Sequence, residues 1–164
     1  MMKSVRRWLF AVPLAIAALA IYPMAASATS GAHFFHDTSA SVTDSGALSV
    51  FIDEAGLGTQ TVNYTLTANA SATYACINGG GNHPKAANKE TIAAQVSGAT
   101  AIQPMNGRAQ GTITAGPLSP GSFSCPSGQT LVLAAVSYSN IVLTDTTNNV
   151  TDDLGSVSRT FFNV

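Results

Sequence analysis

His33-Phe34-Phe35-His36-Asp37 sets two imidazoles and a carboxylate within five residues, a set that could ligate a metal ion. On a strand, however, residues three apart point to opposite faces. The two histidines then diverge, and the segment reads as a strand at the edge of a core. Asp145, Asp152 and Asp153, with Asn148 and Asn149 between them, gather oxygen donors of the kind calcium takes. Their spacing fits no regular calcium loop and no closing glutamate follows, so a polar hairpin is the plainer reading.

Acid–base catalysis has little to work with. Glu54 and Glu90 are the only glutamates. Asp53-Glu54 and Asp152-Asp153 are adjacent pairs, which on strands turn their carboxylates to opposite faces and do not cooperate. The chain has no His-Glu-x-x-His, no Gly-x-Ser-x-Gly and no phosphate-cradling glycine loop before a helix. A triad of His83, an aspartate and one of many serines stays open, because triads are defined by geometry. The expectation is a chain with no catalytic residues, no cofactor and no metal site.

Binding has better material. Residues 78–90 read as a long loop in which Asn78, Asn82, His83, Lys85, Asn88 and Lys89 supply donors and acceptors. Three glycines there expose backbone amides. Such a loop could hydrogen-bond sugar hydroxyls or a peptide backbone, although an ordinary solvated loop has the same composition. Sugar platforms usually need flat exposed rings. Beyond residue 28 there is no tryptophan, and the tyrosines are Tyr64, Tyr74 and Tyr138. Tyr64 alternates with core residues, which leaves Tyr74 as the ring nearest the loop.

Cys76 and Cys125 are the two cysteines, 49 positions apart. In an exported chain an even pair reads first as one disulfide, with two buried thiols as the alternative. A closure of that length contributes roughly 4 kcal/mol in the chain-entropy model. The bridge would pin the base of the 78–90 loop to the 116–128 loop.

The elements that must position these groups are strands and turns. Gly, Pro, Asn and Asp recur every ten residues or so, and helical periodicity is absent. Strands are expected over 33–43, 47–54, 59–68, 71–77, 91–97, 108–115, 131–138, 140–146 and 156–162. In the third, Val62, Tyr64, Leu66 and Ala68 share one face while Thr61, Asn63, Thr65 and Thr67 share the other. Residues 131–138 are the most apolar and should be central. Thr147-Asn148-Asn149 suits a hairpin turn, since Asn tolerates left-handed backbone. About eight short strands at this spacing predict a two-sheet, immunoglobulin-like sandwich, with a β-barrel as the alternative.

The N-terminus sets the compartment. Lys3, Arg6 and Arg7 precede an apolar run from Trp8 to about Met24, and Ala26-Ser27-Ala28 offers small residues for cleavage. This order predicts a signal peptide over 1–28 and a single domain over 29–164. A membrane anchor is the competing reading, but the run is short of the ~20 residues a span needs. Cleavage after Ser30 would instead expose Gly31-Ala32-His33, whose amine, amides and imidazole bind Cu(II) in a square plane. A start at Thr29 abolishes that site. Residues 29–164 keep four basic residues against eight acidic ones, a net charge of −4. Nucleic-acid binding is therefore not expected.

Two stretches carry a resemblance. Cys76-Ile77-Asn78-Gly79-Gly80-Gly81-Asn82-His83-Pro84-Lys85-Ala86-Ala87-Asn88-Lys89-Glu90 is followed by Pro120-Gly121-Ser122-Phe123-Ser124-Cys125-Pro126-Ser127-Gly128-Gln129. In that order, behind a signal peptide, the chain resembles small secreted proteins of unknown function from filamentous actinobacteria, which have a paired-cysteine β domain. The resemblance implies an extracellular or cell-surface location and paired cysteines, and no mechanism. The expected function is a non-enzymatic binding module whose partner is a glycan, the cell wall or a protein. A self-associating surface protein is the alternative, through strand edges and the apolar run 131–136. An enzyme or protease inhibitor comes third.

Overall fold

The computed structural model describes residues 31–78 and 88–164. The expected signal peptide and three residues of the expected loop site, Asn82, His83 and Lys85, lie outside the described residues. Within them the chain is all-β. The strands are β1 (His33–Phe34), β2 (Ser39–Val42), β3 (Leu48–Ala55), β4 (Val62–Asn78), β5 (Lys89–Ile102), β6 (Arg108–Ala115), β7 (Gln129–Asp145), β8 (Val150–Asp153) and β9 (Val157–Thr160).

They form two antiparallel sheets packed face to face. In the short sheet β3 pairs with β1 and β2 on one side and β6 on the other. In the long sheet the order is β5-β4-β7-β8, with β9 also against β7. No barrel closes among the described residues, which removes that alternative.

Several boundaries differ from the sequence reading, each for a local reason. The stretch 33–43 breaks into β1 and β2, because Thr38 N donates to Phe35 O at 3.0 Å and turns the chain. Residues 59–68 and 71–77 fuse into one 17-residue strand, as do 131–138 and 140–146. Asn140, at φ 49°, absorbs the register shift opposite Thr67 and Asn69 without ending β7. β5 starts at Lys89 and runs past 97 to Ile102. The 147–149 turn forms as expected, with Asn149 at φ 59°. It leads into β8, which the sequence reading lacked.

The core lies between the sheets. Leu48, Val50 and Ile52 face Tyr64, Leu66, Ile141 and Leu143, all essentially inaccessible. Each buried aliphatic side chain contributes about 1.5–3 kcal/mol. Tyr138 donates its hydroxyl to Gly46 O at 2.6 Å and ties the sheets together.

The two sheets differ in length. Strands of 17 residues reach roughly 55 Å, whereas the 8-residue strands reach roughly 27 Å. The long sheet therefore overhangs at the Asn78 end. Residues 116–128 cover part of that overhang. Tyr74 donates to Leu118 O at 2.6 Å, and Leu118 and Phe123 pack on the core.

Where β5 passes β6 the backbones nearly touch. A Cβ on Gly98 would collide with Thr114 O. Gly98→Ala is expected to lower stability by about 2 kcal/mol, because the clash is with backbone that cannot rotate away. Urea unfolding of the variant checks this.

Candidate functional site

The disulfide end gathers the described part of the expected loop site. Cys76 and Cys125 are bonded, with Cα atoms 5.5 Å apart. Asn78 closes β4, and its Oδ1 accepts from Gln129 Nε2 at 3.1 Å. Asn88 accepts a backbone bond from Cys76 N at 3.0 Å. Lys89 is a strand residue whose Nζ donates to Val164 O at 3.4 Å. Tyr74 is buried and bonded to Leu118, so it offers no sugar platform. Nearby, a groove of about 390 Å³ opens between Asp44, Ser45, Val132, Leu133, Phe161 and Phe162. Asp44 of this groove pairs with Arg159 at 2.8 Å.

Several titratable groups have structural partners. His33 Nδ1 lies 2.6 Å from Gly31 O, and His36 sits in the turn beside Asp37, 3.1 Å away. Asp145 closes the 147–149 hairpin through bonds from Thr147 N, Asn148 N and Asn148 Nδ2. Among the described residues no three His, Cys, Asp or Glu side chains converge as metal ligands.

Asp53 and Glu54 point to opposite faces, as adjacent strand residues must. Both are nevertheless buried. Asp53 is clasped by Arg108, whose Nε and Nη2 each donate to one of its carboxylate oxygens and whose guanidinium stacks on Phe35 at 4.8 Å. That pairing holds the Asp53 carboxyl below the usual carboxylate range, against the opposing pull of burial. Glu54 points into the core and accepts from the Tyr64 hydroxyl at 2.7 Å, while its Oε1 has no hydrogen-bond partner among the described residues. Burial pushes Glu54 up to about 7. The Tyr64 bond opposes that shift and the charge of Asp145 adds to it. The sequence contained the signal: Glu54 is in phase with Leu48, Val50 and Ile52.

The outer face of the long sheet has a different character. β4 presents Asn63, Thr65, Thr67, Asn69, Ser71 and Thr73 there. Their partners on β5 are Ala101, Ala99, Ser97, Gln95, Ala93 and Thr91. On β7 the rows continue through Thr144, Val142, Ser139, Ser137 and Ala135. They end at Thr151 and Asp153 on β8 and at Ser158 and Thr160 on β9. Asp153 is the one charged side chain in these rows. Hydroxyls, amides and methyls thus repeat about every 4.8 Å across strands and about every 7 Å along them. Such a surface donates and accepts hydrogen bonds but offers almost no ionic contact. The polar phase of 59–68 was visible in the sequence. Its continuation over four strands was not, because it depends on register. The chain matches no known protein family, no curated protein and no solved structure.

Proposed function

We propose that this chain is an exported, non-enzymatic binding module of the cell envelope or extracellular space, built on an immunoglobulin-like sandwich. Its ligand is an uncharged, hydroxyl-rich polymer, a surface glycan or cell-wall polysaccharide, held on the outer face of the long sheet. The observation that carries this reading is the scarcity of charge on that face, where Asp153 stands in the rows and Lys89 at their disulfide end. Exposed surfaces are ordinarily about a quarter to a third Lys, Arg, Glu and Asp. A strongly hydrated charge would have to be stripped of water against a neutral polymer. Hydroxyls and amides exchange water bonds for sugar bonds at little cost. The Cys76–Cys125 bond supports an oxidising location. No described helix is long and apolar enough to cross a membrane.

The test is retention of the oxidised protein on insoluble chitin, cellulose and bacterial cell walls. Thr67→Lys and Asn69→Lys, placed at the centre of the face, are expected to reduce retention at least tenfold, while Asn78→Ala leaves it unchanged. Loss on Asn78→Ala or Lys89→Ala alone would move the site to the disulfide end. No retention on any polymer overturns the reading. A self-associating surface protein is the second reading, favoured by the outer edge of β5, which no other described strand pairs.

A further inference from the structure

Among the described residues the long sheet has one extended edge, β5, whose stretch 91–97 carries no charge and no proline. We propose that two copies of this chain pair antiparallel along it, β5 to β5, about a two-fold axis near Ala94. This step does not depend on polymer binding.

The edges differ sharply. β1, β2, β8 and β9 are two to four residues long, too short to template much pairing. The β8 and β9 edge also carries Asp152, Asp153 and Arg159. β6 begins with Arg108 and has β5 beside it at Gly98. Residues 91–97 of β5 hold seven positions with no charge and no proline, and their pairing with β4 has no bulge. Charge, proline and bulges are the devices by which sheet proteins protect an edge. Among the described residues no other backbone bonds to the far side of this segment.

A second observation concerns the inward side chains. Ala70 and Ala72 on β4 are buried, but their β5 partners Ala94 and Ile92 are exposed and half-buried. Val96 lies in the core and Ile92 packs against it half-buried, while Ala94 between them stays exposed. A two-fold at Ala94 would set Ile92 against Val96 of the partner subunit and cover Ala94 in both copies. The contact is isologous, so it closes at two copies and does not grow into a fibre. It would join two five-stranded sheets into one and make their outer faces continuous. Seven paired residues span only about 23 Å. The interface falls below the ~1,200 Å² of a tight complex, so the dimer should be weak and concentration-dependent.

Sedimentation of the oxidised protein over a concentration series tests this. Wild type is expected to dimerise. Ala94→Lys and Ala94→Glu are each expected to weaken the dimer at least tenfold, because like charges meet across the axis. Since Ala94 is exposed, both variants should melt like wild type. Mixing the two in equal amounts should restore the dimer, which a merely misfolded variant cannot do. Wild type that stays monomeric at millimolar concentration overturns the proposal, as does a dimer unaffected by both substitutions.

Discussion

Replacing Cys76 and Cys125 together by serine is expected to lower the unfolding free energy by about 4 kcal/mol, the value for closing a loop of 49 positions. That is a large share of the 5–15 kcal/mol a domain typically has. The bridge joins two segments that otherwise share few contacts. On one side is β4 where it overhangs the short sheet. On the other is the 116–128 connection, anchored by the Tyr74 bond to Leu118 and by Leu118 and Phe123. Without the disulfide this connection must be ordered over Tyr74 by those contacts alone. Urea unfolding of the double variant against oxidised wild type measures the difference. An unchanged denaturant slope would assign the loss to stability and not to a looser native state. A loss below about 1 kcal/mol would show that the unfolded chain gains little freedom from the cut.

Much of the fold was legible because strand periodicity is short-range. The alternation of Val62, Tyr64, Leu66 and Ala68 fixed which face of β4 is buried, and the apolar run near Leu131 marked an interior strand. Breaks were harder to read. Asn140 and Ser139 look like turn residues, yet β7 passes through them because β4 keeps bonding on either side of the shift, with β9 beside 135–138 and β8 beside 142–145. Conversely, 33–43 has no glycine or proline, but Thr38 bonds Asp53 through its side chain and holds a turn there.

The candidate sites divide along the same line. The six loop residues were chosen by composition, and composition does not reveal that Lys89 belongs to a strand or that Asn78 is engaged by Gln129. The outer-face array depends on five strands, β4, β5, β7, β8 and β9, coming into register, which no local window contains. Asp53 and Asp44 are paired with Arg108 and Arg159, while residues 91–97 of β5 carry no charge and the outer rows carry Asp153 alone.

Glu54 gives the protein a pH dependence opposite to the usual one. Its folded pKa of about 7 lies above the unfolded value of 4.5. Between those values the native state binds the proton and the unfolded chain does not, so stability falls as pH rises through the window. The groups facing Glu54 are Tyr64, which donates to it, Asp145, whose charge repels it, and His33, which opposes that repulsion. A proton on Glu54 spares the core a buried charge, and its loss places that charge there beside Asp145. The full shift is worth about 3 kcal/mol, of which about 2 to 3 kcal/mol should be lost between pH 5 and pH 8. Asp53 acts in the other direction. Its lowered pKa means its contribution is lost only as pH falls below the ordinary carboxylate range, outside this window. Glu54→Gln keeps an acceptor for Tyr64 and carries no charge at any pH. It is expected to match wild type near pH 4.5, to exceed it by about 2 to 3 kcal/mol at pH 8, and to remove the slope between. Urea midpoints for both proteins at pH 5, 6, 7 and 8 decide the matter. A wild-type profile flat across that range would mean that Glu54 is ionised in the core at no cost.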